Sequence, residues 1–368
     1  MIDSEKIIKY IEGIAPENLA ENWDNVGLQI GDTKRKVEKI LLALDINLEV
    51  VDKAVKEQVD MIISHHPLFF SSLKQINLNT YKGKIVEKLI KNDILVYTAH
   101  TNLDASNNGV NDELARLLDI ENPKILSKTH SDKLYKVVVT VPETHEEEVR
   151  RAFGESGAGN IGNYSNCSFS YEGMGRFKPE QGSNPYLGSK EEIEVVKEIK
   201  IEVVVEESNL NNVLKQMINA HPYEEVAYDI IKLENKIKEY GIGRFGNIER
   251  ITLKKLAEKT KQRLNIQNVR VYGSLEKNIE KIAVAGGSGA DFILDAYKKG
   301  ADVYITGDIK HHDAQIAKEI GLDLIDAGHF HTEKIVMDSI KKYLSSKIKS
   351  DIEIIVAEND NIAQYKTI

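Results

Sequence analysis

KILLALDINLEVVDKAVKEQVDMIISHHP, residues 39–67, decides the fold. KILLALDI (39–46) is a short apolar run ending in Asp45, EVVDKAVKEQ has helical spacing, and VDMIIS (59–64) reads as a buried strand. Strand-length runs separated by such a helix predict a βαβ unit, because parallel neighbours need a crossover that an amphipathic helix supplies. The rhythm continues outward. YKGKIVEKLIKND is amphipathic, ILVYTA (94–99) is another strand, and VNDELARLLDI is a helix begun near Asn108 or Asn111. It returns towards the carboxyl end. LKKLAEKTKQRL and ADFILDAYKKG are helical there, and KIAVAGG (281–287), DVYIT (302–306) and LDLIDAG (322–328) are strands. TEKIVMDSIKKYLSSKI is a long helix and DIEIIVAE a last strand.

The middle differs. KLYKVVVTVP, THEEEVRRAFGES, NCSFSYEGMGRF, EIKIEVVVEES, LNNVLKQMINA and EVAYDIIKLEN read β-α-β-β-α-β, the ferredoxin-like order. KPEQGSNPYLGSKEE, between its second and third strands, is a polar surface loop. The expected architecture is a discontinuous α/β domain with a largely parallel sheet, residues 1–128 and 240–368, interrupted by an inserted ferredoxin-like α+β domain, 129–239.

A chain of 368 residues can bury its cores without disulfide or metal staples. Lys+Arg is 49 against Asp+Glu 58, a net charge of -9, and no local run supplies the basic face of a general nucleic-acid binder. The single cysteine, Cys167, excludes a disulfide framework and fits a reducing, cytoplasmic setting; no ligand cluster neighbours it, so it is given no catalytic role. Apolar runs are strand-length, so no membrane span is expected. MIDSEKIIKY, charged from its third residue, lacks the apolar core of a secretory signal.

Histidine is the informative residue. Of ten, seven fall in four short clusters: His65 with His66, His100, His311 with His312, and His329 with His331. Each cluster follows a strand. VDMIIS runs into His65-His66-Pro67, ILVYTA into His100 with Asp104 beyond it, DVYIT into Gly307-Asp308, and LDLIDAG into His329. In a parallel sheet these carboxyl ends share one edge, where ligands bind in open α/β folds. Adjacent histidines inside a strand would face opposite ways, but Pro67 ends the strand, so both rings can turn to one site. His329 and Glu333, four residues apart, share a helix face; His331 competes for that place but lies only two residues from Glu333, nearly across the helix. Imidazole with carboxylate and no thiolate suits Zn, Mn, Fe, Co or Ni. Five donors (His65, His66, Asp104, His329, Glu333) exceed one open ion and match two if Glu333 bridges.

ISHHPLFF (63–70), TAHTNLDA (98–105), TGDIKHHDA (306–314), DAGHFHTEK (326–334) and NWDNVGLQIGD (22–32) together resemble the GTP cyclohydrolase 1 type 2 homologues, NIF-three-like dinuclear metal proteins. The resemblance spans both outer segments in the same order. It implies two divalent ions per subunit, zinc foremost, with His66 and Asp104 on one, His65 and His329 on the other, and Glu333 on both. It also implies a toroidal homohexamer and a metal-dependent hydrolase converting GTP and water to 7,8-dihydroneopterin triphosphate and formate, metal-activated water attacking guanine C8. Long members carry an insert similar to CutA and PII-like proteins, which NAHPYEEVAYDI (219–230) resembles. The rival readings are a dinuclear phosphoesterase and a non-enzymatic metal-binding regulator or scaffold.

Secondary candidates follow. AGGSGADFI (285–293) follows a strand and opens a helix, so Gly286, Gly287, Ser288 and Gly289 are candidate phosphate contacts, with a plain tight turn as the competing reading. Asp308, His311, His312 and His331 are candidates for supporting the ligands or moving protons, with Asp308, His312 and His331 taken as catalytic. His100 would hold the loop presenting Asp104. His221 reads as structural or pocket-lining, and Trp23, the only tryptophan, as a core anchor.

Overall fold

In the first segment a two-residue strand, β1 (Ile2–Asp3), leads into α1 (Ser4–Ile14), followed by β2 (Gly27–Ile30), β3 (Lys36–Val37) and β4 (Lys39–Ala43). Then come α2 (Leu48–Lys56), β5 (Met61–Ser64), α3 (Tyr81–Lys91), β6 (Leu95–Thr98), α4 (Thr101–Ala105), α5 (Val110–Leu117) and β7 (Glu121–Ser131). Every residue of β5 and β6 is buried, which explains their unbroken apolar runs. Asn47 caps α2, its side chain accepting from the amide of Val50 at 2.8 Å.

The computed structural model describes residues 1–235 and 238–358. They form two compact units, one made of the described residues of 1–130 and 240–358 and the other of those of 131–239. In the second unit β8 (Leu134–Pro142), α6 (Glu146–Glu155), β9 (Ser168–Phe177), β10 (Glu194–Glu206), α7 (Leu210–Ala220) and β11 (Tyr228–Leu233) follow one another. The strands form one antiparallel sheet in the order β11-β8-β10-β9. Val137, Val139, Val141, Ile199, Ile201 and Val203 alternate inward and pack on Val149 and Phe153 of α6 and Val213 and Met217 of α7. Cys167 lies just before β9 rather than within it.

The carboxyl segment adds β12 (Glu239–Thr252), α8 (Leu253–Arg263), β13 (Arg270–Tyr272), β14 (Asn278–Ser288), α9 (Ile293–Lys298), β15 (Val303–Gly307) and α10 (His311–Ile320). β16 (Asp323–Asp326), α11 (His329–Lys334), α12 (Val336–Lys347) and β17 (Glu353–Val356) complete it.

The first unit holds two main sheets where one largely parallel sheet was expected. A five-stranded sheet, β17-β4-β5-β6-β2, is parallel except for β2. A six-stranded sheet, β13-β16-β15-β14-β12-β7, is parallel across β14, β15 and β16, with antiparallel pairs β13–β16 and β12–β14 outside them. The period of two sorts each sheet's faces. Leu42, Met61, Ile63 and Leu95 pack with Ile7 and Ile11 of α1 and Ile340 of α12, whereas Leu41, Ile62 and Val96 pack with Val51 of α2 and Ile85 of α3. In the other sheet Ile282, Val284 and Ile305 meet α5 and α8, and Ala283 and Tyr304 meet α9 and α10. Each fully buried aliphatic side chain contributes about 1.5–3 kcal/mol, so both sheets are rigid platforms for what their ends carry.

Candidate metal centre

β5 ends at Ser64, and its ladder runs one step further, His65 N donating to Ala43 O at 3.1 Å and His66 N to Leu44 O at 2.9 Å. The two rings then converge, centroids 5.1 Å apart. β6 ends at Thr98 and turns through His100 into α4, which carries Asp104. From the second sheet, β15 ends at Gly307 before Asp308, and β16 leads through Gly328 into α11, which carries His329 and Glu333. The five expected donors therefore meet, but from the carboxyl ends of two sheets.

Glu333 is the centre of the cluster. Its Oε2 is 3.0 Å from His66 Nε2 and 3.1 Å from His329 Nε2. His65 Nε2 lies 3.7 Å from Glu333 Oε1 and 3.6 Å from Asp104 Oδ1. Two trios share this carboxylate, His65–Asp104–Glu333 and His66–His329–Glu333, and each could hold a metal ion. The resemblance had paired His66 with Asp104 and His65 with His329; the geometry pairs them the other way. His100 forms a third grouping with His65 and His66.

What ties the rings from behind explains the pairing. His65 Nδ1 donates to Ala99 O at 2.9 Å, His66 Nδ1 faces Asp45 Oδ1 at 2.8 Å, and His329 Nδ1 faces Asp308 Oδ2 at 2.8 Å. His100 Nδ1 faces Asp24 Oδ1 at 2.9 Å. With each Nδ1 so engaged, the Nε2 atoms of His65, His66 and His329 are turned inward, the usual way a protein orients metal-binding imidazoles. Asp308, expected as catalytic, thus orients His329. Asp45 and Asp24 do the same for His66 and His100; neither was singled out, although Asp45 also stands at a strand's carboxyl end.

Electrostatics express the same crowding. Burial lowers the basicity of His66, but Asp45 and Glu333 outweigh it and raise its pKa to about 10. His329, similarly opposed by burial and favoured by Glu333 and Asp308, is raised to about 9. Burial raises Asp104 to about 7, with His65 pulling down and Glu333 pushing up. Burial also disfavours the Glu333 anion, yet His329, His65 and His66 hold it well below the usual carboxylate range. Asp24 is kept at about 2, the penalty of burial being exceeded by bonds from His100 and Thr101.

Buried polar atoms without partners test whether a cation fits. His65 Nε2 and Asp104 Oδ1 have no hydrogen-bond partner. With Nδ1–H given to Ala99, His65 turns Nε2 to two carboxylate oxygens at 3.6 and 3.7 Å, too distant for hydrogen bonds. One imidazole nitrogen and two carboxylate oxygens facing one another in a buried space are a donor set that fits a shared positive ion.

The remaining candidates fare differently. The amide of Gly287 donates to Thr332 Oγ1 at 2.9 Å, that of Gly289 to Thr306 Oγ1 at 3.0 Å, and that of Gly286 to Asn111 Oδ1 at 3.0 Å. The amides of Gly286, Gly287 and Gly289, expected as phosphate contacts, are committed inside the protein, a three-residue turn, Ala290–Phe292, follows them, and Ser288 is exposed. Gly287 serves the cluster instead, since its backbone runs against Glu333. His311 and His312 are exposed on the first turn of α10 with their rings 5.3 Å apart, and among the described residues neither joins the donor groupings. His331 is half-buried, edge-on to Phe330, and burial lowers its pKa. His221 uses both nitrogens structurally, with Thr140 O at 2.9 Å and Tyr223 N at 3.1 Å. Trp23 is no core anchor: it is 59% exposed.

Fold and site define a class, an α/β protein with a buried histidine–carboxylate cluster that could hold metal at the carboxyl ends of parallel strands. The chain belongs to the Duf34/NIF3 (NGG1p interacting factor 3) family, whose model matches residues 2–362. A Bacillus subtilis (strain 168) relative named GTP cyclohydrolase 1 type 2 homolog is 42% identical over 363 residues, 98% of this chain and 97% of that protein. The crystal structure of a Bacillus cereus protein related to NIF3 superposes with a TM-score of 0.87 at 42% identity, covering 100% of this chain and 99% of the other. A Staphylococcus aureus protein of solved structure matches with a TM-score of 0.80 at 32% identity, over 100% and 99% of the two chains. No helix among the described residues is long and apolar enough to cross a membrane.

Proposed function

We propose that this chain is a hydrolase dependent on two divalent ions, held by His65, Asp104 and Glu333 and by His66, His329 and Glu333, and that its substrate is GTP. The observation that carries the metal half is the buried, partnerless pair His65 Nε2 and Asp104 Oδ1 facing Glu333. Divalent ions bound there supply Lewis acidity and make water nucleophilic at neutral pH. The chain's own part is orientation: Ala99 O, Asp45 and Asp308 fix the three rings, and Glu333 gives one oxygen to each trio. His331, two residues from both His329 and Glu333 and less basic through burial, is assigned proton transfer at its ring nitrogen.

The GTP assignment draws on the naming of the relatives. The overall conversion is GTP and water to 7,8-dihydroneopterin triphosphate and formate. Zinc as the ion, a toroidal homohexamer, a cytoplasmic setting and a ferredoxin-like, CutA/PII-like insert at about 129–239 belong to the same reading and rest on the family resemblance.

The test is elemental analysis of protein purified without chelator, then incubation with GTP while formate, pterin absorbance and inorganic phosphate are followed. Pterin and formate that vanish in Glu333→Ala support the reading. Phosphate without pterin would move it to a dinuclear phosphoesterase, to which a shared carboxylate between two trios is equally suited. Stoichiometric metal without turnover with Zn, Mn, Fe or Co would leave a non-enzymatic metal-binding regulator.

A further inference from the structure

The only tryptophan of the chain stands beside the metal cluster with its ring in solvent. Trp23 is 59% exposed and Phe70 is 55% exposed. Their rings stack, centroids 6.0 Å apart and planes within 16°. Both meet His100 edgewise, Trp23 at 6.0 Å and Phe70 at 5.6 Å, and His100 is 8% exposed. A ring nitrogen of His100 in turn lies within 4.8 Å of ring nitrogens of His65 and His66. The aromatic pair and the metal cluster are therefore continuous through one buried imidazole.

The pair is built, not incidental. Asp24, next to Trp23, holds His100 Nδ1 at 2.9 Å and accepts from the Thr101 amide at 3.0 Å. The loop carrying Phe70 is tied to the Trp23 loop by Asn25 Nδ2 donating to Phe69 O at 2.6 Å, and by Phe69 N donating to Gln29 Oε1 at 3.3 Å. Two separate loops are thus locked with their aromatic rings parallel before any ligand arrives, which removes much of the ordering cost of binding. Single exposed apolar residues need no explanation, but a preformed aromatic stack adjoining a polar cluster does.

We infer that Trp23 and Phe70 form a stacking platform for a planar heteroaromatic ring, and that this platform sets substrate specificity at the adjoining cluster. Stacking takes any flat π-face, and a purine laid on Trp23 reaches towards His100 and the donor atoms beyond it. The choice of a nucleotide base as the ring rests on the proposed function; the platform itself rests on the aromatic geometry.

Because Trp23 is the sole tryptophan, all tryptophan emission reports this one place. Metal-loaded full-length protein is titrated with GTP, guanosine and ribose 5-phosphate, with emission corrected for ligand absorbance. Guanosine and GTP quench saturably, ribose 5-phosphate does not, and Phe70→Leu weakens guanosine binding about tenfold, within what one aromatic stacking contact contributes. Trp23→Leu, which removes the reporter, raises the dissociation constant for guanosine similarly in equilibrium dialysis. Unchanged emission with both base-bearing ligands overturns the inference, as does wild-type affinity in Phe70→Leu. Emission that follows protein concentration instead of ligand also overturns it, placing Trp23 between copies of the chain. Quenching without turnover sustains the platform while the hydrolase reading falls. Turnover with KM unaltered in both variants does the reverse.

Discussion

Gly287 runs against Glu333 so closely that a β-carbon at residue 287 would lie 2.0 Å from Glu333 Oε1. The same oxygen faces His65 and Asp104, so the bare backbone of residue 287 makes room for the carboxylate the two trios share. Gly287 also has φ +67°, which disfavours any side chain. Gly287→Ala is expected to displace Glu333 and lose most bound metal, in addition to about 1–3 kcal/mol of backbone strain. Gly321→Ala separates the two effects, having φ +80° with nothing within 4 Å of an added β-carbon. Equal metal content in the two variants, measured by elemental analysis, would show that the approach to Glu333 does not matter.

Carboxylates behind the histidines should be felt at the metal. Asp45 and Asp308 hold the Nδ1 atoms of His66 and His329, each at 2.8 Å. Asp45→Ala and Asp308→Ala are each expected to weaken metal binding about 10–100-fold, with the fold intact, because the rings lose orientation and basicity. Competition against a chromophoric chelator measures this, and wild-type affinity in both variants would remove the supporting role.

These contacts also mark where sequence reasoning stopped. The meeting of the five side chains was legible because strand ends converge and because His329 and Glu333 are four residues apart on one helix. Their partition between two trios was not, because it depends on where each Nδ1 is tied, and Ala99, Asp45 and Asp308 approach from distant segments. The glycine run that closes β14 has the composition of an anion cradle, but Thr332, Thr306 and Asn111 take its amides. The apolar runs revealed the parallel strands but not their division between two sheets. The glycine-rich β12, antiparallel to β14, and β7 beside it, with Pro123, lack the signals that would have marked them as strands of a second sheet. Trp23 was misread because size and apolarity argue for burial, whereas its locked stack with Phe70 is a tertiary feature.

The turn that presents Asp104 is anchored by an ion pair between buried Arg244 and half-buried Asp112. Arg244, 2% exposed, donates to Asp112 Oδ1 at 2.6 Å and Oδ2 at 2.9 Å, and to the carbonyl of Ser106 at 3.2 Å. Asn108 N donates to Asp112 Oδ2 at 2.6 Å, so the pair closes the loop between α4 and α5. Arg244→Met would leave Asp112 and several carbonyls without their donor, and is expected to cost about 3–5 kcal/mol in denaturant unfolding. Metal affinity should fall with it, since Asp104 is two residues from Ser106. A loss below about 1 kcal/mol would contradict the anchoring, because it would place the pair in the range of an exposed one.

Protons and metal compete for the same nitrogens, and the sign of that competition is fixed by the raised histidines. His66, at about 10, and His329, at about 9, both carry protons in the metal-free site at neutral pH, held by Glu333. A ligand imidazole must be neutral, so metal binding expels those protons. Apparent affinity should therefore climb as pH rises from 7, by about tenfold per unit for each proton displaced, and level off above the higher value. Stability of the metal-free protein runs the opposite way. A histidine whose folded pKa lies above its unfolded value near 6.5 stabilises fully below 6.5, and that contribution is lost as pH rises through about 9 and then about 10. Asp104, raised to about 7, has lost nearly all of its own contribution by about pH 8, so the window from about 8 to 10 isolates the two histidines. Chelator-treated protein should melt at progressively lower temperature across that window, while metal-loaded protein, whose histidines no longer titrate, holds its melting temperature. Parallel curves for the two forms, or metal affinity flat from pH 7 to 9, would mean that His66 and His329 do not bind the ion.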